Sequence, residues 1–267
     1  VRVSQVWIYP IKSCGGISLN EHRLRRTGFE FDRQWMVVDE NGKFITQREH
    51  PEMAKVKLSF LDEQLQLEWG ETREILRGAS DEVRPVQVWS ASTPAHLERN
   101  PRAIELFRDL LKKKVNLVTV GPAFGRKVRD RGSDLSAEVF FADSTPLLVT
   151  TEPSLRDLNS RMKEPVPMSR FRPNLVIEGD FAPFAEDSWK EISVAGLSID
   201  MRRPCERCTI ITIDQDKGAK ASPEPLAALA KYRREGTKVL FGIRGWSEQE
   251  GLVRVGDAVQ ILSTKTG

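Results

Sequence analysis

The sequence predicts a mainly β chain with α decoration, an α+β fold built from barrel-like sheets. Period-two runs carry the first part of that prediction. Val56, Leu58 and Phe60 alternate with Lys55, Lys57 and Ser59, and Leu65, Leu67 and Trp69 alternate with Gln64, Gln66 and Glu68. One apolar face at that period marks a half-buried strand. A hairpin signal supplies the second part. Asn41-Gly42 sits between the runs Trp35-Met36-Val37-Val38 and Lys43-Phe44-Ile45-Thr46, and both turn residues tolerate positive φ. The third part is the scarcity of helical periodicity, since many short strands with few helices indicate barrels or sandwiches with helical additions.

Further elements follow in order. Val86, Val88 and Leu97 extend the β region around Trp89. A helix then begins at Pro101, capped by Asn100, with Ile104, Phe107, Leu110 and Leu111 on one face. It stops near Lys112-Lys113-Lys114, where cations suit the negative end of the helix dipole. Strand character returns at 115–120. Residues 121–137 are rich in Gly, Arg and Asp without periodicity and read as a loop. A second block of strands is expected at 147–151, 174–178, 197–201, 208–213 and 252–262. Leu155, Leu158 and Met162 mark one interrupting helix. Ser222, Pro223, Leu226, Leu229 and Tyr232 mark another, with Gly236 closing it.

The 267 residues suffice for two modest domains, expected as 1–120 and 121–267. The longest apolar runs are far too short to span a bilayer, and no signal peptide opens the chain. A cytoplasmic setting follows; mitochondrial-membrane attachment would need an N-terminal anchor outside this sequence. The net charge of +3 is mild, and no nucleic-acid docking motif accompanies it. Basic residues cluster at Arg23, Arg25 and Arg26, at Arg126, Lys127, Arg129 and Arg131, and at Arg202, Arg203 and Arg207. Such clusters are either solvated surface or a pocket for a small anion. The three cysteines, Cys14, Cys205 and Cys208, argue against a disulfide framework and for a reducing compartment.

The sharpest local motif is Pro204-Cys205-Glu206-Arg207-Cys208. Read alone it has three meanings. It is half of a zinc site, but a second half is missing. It is a redox pair, but a strand-like run follows where a helix should open. Or it is two thiols packed as small apolar residues. The arginines that flank it favour a thiolate and also bind phosphate in bidentate fashion. A site with one thiolate and several cations suits a soft metal carried by a phosphorylated organic group. Two other segments have related chemistry. Tyr9-Pro10-Ile11-Lys12-Ser13-Cys14-Gly15-Gly16 enters a Gly-rich turn whose N–H groups and Lys12 suit an anion, although the Walker spacing is absent. Phe171-Arg172-Pro173-Asn174 leads into an apolar run. Taken singly, the first is more often an ordinary strand-to-turn junction with a solvated lysine, and the second a β-edge proline with an exposed arginine.

Together these segments resemble one family. Tyr-Pro-Ile-Lys-Ser-Cys at 9–14, Phe-Asp-Arg-Gln-Trp-Met at 31–36, Phe-Arg-Pro-Asn at 171–174, Glu-Asp-Ser-Trp at 186–189, Cys-Glu-Arg-Cys at 205–208 and Val-Arg-Val-Gly-Asp at 253–257 occur in that order. The chain is similar to MOSC-domain molybdoenzymes with an N-terminal MOSC β-barrel domain, and resembles the mitochondrial amidoxime-reducing component and its bacterial relatives. The resemblance implies a MOSC β-barrel beside an N-terminal β-barrel-like domain, holding molybdenum–molybdopterin. Cys208 matches the metal-ligating, catalytic cysteine, and Cys205 does not match a ligand. Lys12, Ser13, Arg33, Arg172, Asn174 and Arg207 match the residues that hold phosphate and pterin. Asp143 and Arg244 are carried over on weaker local matches, and Arg244 departs from the neutral polar or aromatic residue common there.

The implied activity is reduction of N-hydroxylated compounds, amidoximes and hydroxylamines, by oxygen-atom transfer at a Cys-ligated molybdenum. A 2Fe–2S tail found in some bacterial relatives needs four cysteines that this chain lacks. Electrons are therefore expected from separate proteins of cytochrome b5, ferredoxin or flavoprotein type, or from a tail that lies outside this sequence. The alternative is a molybdenum-cofactor carrier or a sulfur-carrying module related to the C-terminal part of the cofactor sulfurases. A nucleic-acid-binding barrel rests on charge alone.

Overall fold

The computed structural model describes residues 1–122, 124–129 and 136–265. Its largest unit is a nine-stranded sheet. From one edge the strands run Ile17–Leu19, Arg2–Ile8, Leu175–Glu178, Leu147–Thr151, Lys238–Trp246, Leu197–Glu206, Trp189–Val194 and Val259–Thr264, and Arg234–Glu235 pairs alongside Lys238–Trp246. The far edge curls back to the start. Val3 N donates to Asp257 O at 2.9 Å and Val259 N to Val1 O at 3.0 Å. Curling satisfies edge groups that an open sheet would leave unpaired. The row is antiparallel except where Leu147–Thr151 runs parallel to Leu175–Glu178. Helix Glu152–Ser160 lies within that connection, as parallel pairing requires a crossover.

The first half of the chain forms a four-stranded sheet, ordered Trp35–Asp39, Val115–Thr119, Ala91–Glu98 and Ala79–Val88, with a three-stranded sheet Lys57–Leu61, Gln64–Trp69 and Thr72–Ile75. Helix Pro101–Leu111 covers them. Asn100 caps it by accepting from Arg102 N, and Lys112 ends it in the left-handed region. Its buried residues Ile104 and Phe107 join Trp35, Leu67 and Leu117 in one core. A second core fills the large sheet, and the first strand contributes Val3, Val6 and Ile8 to it. The chain thus starts inside the sheet of its second half and then crosses into the first. Lys12 and Ser13 lie at that crossing.

Several expectations are corrected. The apolar, β-branched stretch 208–213 is a 3-10 turn, Thr209–Thr212, and only Ile213–Asp214 enters a ladder. Thr212 Oγ1 donates to Thr209 O at 2.7 Å, a local bond that competes with strand pairing. The helix expected through Tyr232 is limited to Leu226–Leu229, because Arg234–Glu235 instead turns through Gly236 (φ 58°) to pair with Val239 and Lys238. Residues 252–262 are two strands, Gly251–Arg254 and Val259–Thr264, separated by a turn at Gly256 (φ 95°). The expected loop 121–137 contains a ribbon, Lys127–Arg129 against Ser136–Glu138; its tip and Arg131 fall outside the described residues. Arg126, in the basic run there, is buried rather than solvated. It donates to Phe140 O at 2.9 Å and Ala142 O at 2.6 Å.

Glu186 ties helix Glu152–Ser160 to the loop before strand Trp189–Val194. Its buried carboxyl accepts from Ser154 Oγ at 2.7 Å and from Thr151 Oγ1 at 3.0 Å. Burial raises this carboxyl above its ordinary value of 4.5, outweighing the hydrogen bonds. The folded state therefore keeps the proton longer than the unfolded chain, so this group's stabilising contribution falls as pH rises from about 4.5 through the folded value. Glu186→Gln, which cannot ionise, is expected to gain thermal stability relative to the native chain as pH is raised through that window. Melting curves taken between pH 4 and 8 check it, and a constant difference refutes it.

Candidate functional site

A pocket lies at the crossing between the two halves. Lys12, Ser13, Arg33, Asp143, Arg172, Asn174, Arg207, Cys208 and Arg244 all line it. The structure brings together every residue singled out from the sequence as a candidate ligand or cofactor contact. Six cationic side chains, counting Arg48, face two carboxylates, Asp143 and Glu206, so the pocket suits an anion.

The cations are held by the backbone as much as by side chains. Ser13, Arg33 and Arg172 have φ of 69°, 49° and 56°. Residues with a Cβ occupy that region at a cost of roughly 1–3 kcal/mol each, and clusters of them occur at functional sites. Main-chain bonds fix them. Arg33 N donates to Tyr9 O at 2.9 Å, Arg172 N to Ser169 O at 3.1 Å, and Lys12 N to Trp35 O at 2.8 Å. Gln47, fully buried, donates from Nε2 to Ser13 O at 2.7 Å.

Two carboxylates offset the charge. Asp32, absent from the sequence-based candidates, accepts from Tyr9 N and Arg33 Nη1, both at 2.7 Å. Asp143 accepts a short hydrogen bond from Lys12 Nζ, which also donates to Phe141 O at 2.8 Å. Burial pushes the Lys12 ammonium below its ordinary value while Asp143 pulls it back. The Lys12 and Arg48 charges and the Trp89 indole N–H hold the half-exposed Asp143 carboxyl well below the usual range. Asn174 is committed to the protein. Its Oδ1 accepts from Arg33 Nη1 at 3.2 Å and Leu148 N at 3.1 Å, and its Nδ2 donates to Trp7 O at 3.2 Å.

Tyr9 is a second residue that the motif contained without a role. Its ring lies 4.5 Å from the Arg33 guanidinium carbon and 4.2 Å from that of Arg172. One buried aromatic ring thus serves two like charges. Gly16 makes room for it, since a Cβ there would lie 2.4 Å from the Tyr9 ring. Burial, then the neighbouring Arg33 charge, pushes the Arg172 guanidinium down to about 10, so it remains cationic at neutral pH. Arg172 Nη1 donates to Cys14 O at 2.7 Å. The Cys14 thiol is fully buried and pushed up by that burial, which makes it inert.

The remaining wall carries the thiols. Strand Leu197–Glu206 ends at the pocket, and Cys208 caps the following 3-10 turn in extended conformation, with its thiol exposed. Arg207 Nη1 reaches Cys205 Sγ at 3.1 Å and its Nη2 donates to Phe171 O at 2.8 Å. The Nε atoms of Arg207 and Arg244 are buried without a hydrogen-bond partner. Buried donors of this kind call for an acceptor. Among the described residues no group of three His, Cys, Asp or Glu side chains could hold a metal. A metal here needs most of its ligands from a cofactor.

A family model for the MOSC domain matches residues 136–260, and one for the MOSC N-terminal beta barrel domain matches residues 1–114. The chain is 32% identical to mitochondrial amidoxime-reducing component 1 of Mus musculus and 30% identical to that of Homo sapiens, in each case across 97% of this chain and 82% of the relative. It is 32% identical to molybdenum cofactor sulfurase of Oryza sativa subsp. japonica across 91% of this chain, which spans 32% of that longer protein.

The Tyr9 geometry generates a test. Its hydroxyl is buried without a partner, so Tyr9→Phe should bind pyrophosphate within about twofold of the native chain. Tyr9→Leu, which removes the ring that meets both guanidinium groups, should bind it about tenfold more weakly at low ionic strength. Titration calorimetry checks both, and equal affinity of the leucine variant refutes the ring's role.

Proposed function

The chain belongs to the MOSC proteins that carry an N-terminal MOSC β-barrel domain, and from that premise we propose that it is a molybdenum-cofactor-dependent reductase of N-hydroxylated compounds such as amidoximes and hydroxylamines. The proposed partition into domains 1–120 and 121–267, with strand Arg2–Ile8 lent to the sheet of the second, makes the pocket an interdomain cleft. The observation that carries the reading is one exposed thiol, Cys208, on the wall of a pocket dense in cations.

The residues present fit a phosphorylated, metal-bearing cofactor. Cys208 offers a soft ligand. The partnerless Nε groups of Arg207 and Arg244 offer two buried donors to an acceptor from outside the chain. Lys12, Ser13, Arg33 and Arg172 supply further charge and donors for a phosphate. Asn174 and Asp143 orient Arg33 and Lys12, respectively. When bound, molybdenum–molybdopterin supplies oxygen-atom transfer at a Cys-ligated metal. The protein's part is to fix the cofactor's phosphate and present Cys208.

Reduction of an amidoxime to an amidine breaks the N–O bond, takes up two electrons and two protons, and releases water. The electrons come from separate donor proteins of cytochrome b5, ferredoxin or flavoprotein type. No helix among the described residues is long and apolar enough to cross a membrane. The exposure of Cys208 and the likeness to the sulfurases favour a second reading, a cofactor carrier or a module that holds sulfur on Cys208.

Elemental analysis of the purified chain should find about one molybdenum per chain, the content expected from a single soft ligand site. Cys208→Ser should abolish amidoxime reduction while leaving the circular dichroism spectrum intact. Full turnover in a metal-free sample sinks the reductase reading. Labile sulfur on Cys208, or cofactor exchange without turnover, selects the carrier reading.

A further inference from the structure

Trp89 is not explained by the core. It sits at the turn between strands Ala79–Val88 and Ala91–Glu98 with φ of 56°. A bulky side chain is an outlier there, since such turns favour Gly or Asn. The residue is 46% exposed and is the one aromatic among the exposed large hydrophobic residues described. Yet it is not loose. The indole Nε1 donates to Asp143 Oδ1 at 3.0 Å. The Arg48 guanidinium carbon lies 4.9 Å from the ring centroid, and Phe44 meets the ring edge-on at 5.1 Å and 61°.

Each of these partners also belongs to the cofactor pocket or touches it. Asp143 pairs with Lys12, and Lys12 Nζ lies 5.5 Å from the Phe44 ring. Arg48 lies 3.8 Å from Asp143. Thr46 and Arg48 line both the pocket and a second cleft, which Phe44, Gln87 and Trp89 enclose. The Trp89 ring is therefore held in a cleft that adjoins the cofactor pocket across Thr46 and Arg48. Strained backbone that persists because surrounding contacts hold it is a pointer to function. A rigid aromatic surface that is fixed before a ligand arrives loses little conformational freedom on binding.

We infer that the cleft walled by Phe44, Arg48 and Trp89 is the subsite for a planar aromatic group of the substrate, with the N–O group directed into the cofactor pocket. The inference rests on the reductase reading and deepens it: aryl N-hydroxylated compounds are preferred over alkyl ones, and Trp89 sets the preference. Gln87 and Ser90 stand beside the ring and supply polar contacts for ring heteroatoms or substituents. An alkyl group offers Trp89 and Phe44 less surface and no quadrupole.

The test uses the cofactor-loaded full chain with benzamidoxime and acetamidoxime as probes. Trp89→Gly removes the ring and suits the observed φ, so the hairpin keeps its turn. Trp89→Phe keeps an aromatic face and loses only the bond to Asp143. Calorimetric binding of benzamidoxime should weaken about tenfold in the glycine variant and stay within about twofold of native in the phenylalanine variant. The kcat/KM ratio of benzamidoxime over acetamidoxime should fall about tenfold in Trp89→Gly alone. Native-like binding by the glycine variant, absence of binding by the native chain, or equal loss in both variants overturns the subsite; the last outcome would make Trp89 a tie to Asp143. Trp89-dependent binding without turnover of either compound supports the subsite and removes only the reductase reading.

Discussion

The repulsion among the cations gathered at the crossing between the two halves is the constraint on which the rest of the site depends. Lys12, Arg33, Arg172 and Arg207 line one pocket, and each is wholly or partly withdrawn from water. Unpaired charges of one sign in such a place would cost several kcal/mol each. The structure offsets them in three ways. Asp32 and Asp143 neutralise Arg33 and Lys12. The Tyr9 ring stands against two guanidinium groups at once. Backbone carbonyls of Cys14, Phe141 and Phe171 accept from Arg172, Lys12 and Arg207. Charge remains in excess after these pairings, which is the property that suits the pocket to an anion.

The fold makes this concentration possible because the first strand belongs to the large sheet while the residues after it belong to the smaller one. Strand Arg2–Ile8 pairs with Leu175–Glu178. That pairing sets Tyr9 and Lys12 beside Arg172 and Asn174 across a long stretch of sequence. Left-handed backbone at Ser13, Arg33 and Arg172 then turns each segment towards the pocket. The local strain is compensated by main-chain bonds and by two cores that hold the segments from either side. Trp89 extends the same logic to the rim, since its strained turn is pinned through Asp143 to Lys12.

Much of the fold was legible because period-two alternation reports directly on sheets with one buried face. Strands Lys57–Leu61 and Gln64–Trp69 follow that pattern residue by residue. The helix Pro101–Leu111 was legible from its cap and apolar face. Misreadings fell where local chemistry or tertiary pairing overrides composition. Thr209-Ile210-Ile211-Thr212 has strand composition, yet a threonine-to-backbone bond closes a 3-10 turn. The segment after Leu229 has helical spacing, yet an available strand edge captured Arg234–Glu235. Arg126 reads as solvated charge and is a buried strut, because the carbonyls it serves come from residues 140 and 142 in a separate segment.

The sequence by itself determined the β-rich class, the family likeness and the identity of the candidate site residues, because short motifs retain the chemistry of a thiol, a lysine turn and an arginine–proline–asparagine segment. Only the tertiary structure decided how those residues relate. It placed Tyr9 against two guanidinium groups, left Cys208 exposed while Cys14 is sealed, and set Trp89 over Arg48. Those relations depend on contacts between residues far apart in the chain, for which no local pattern carries a signal.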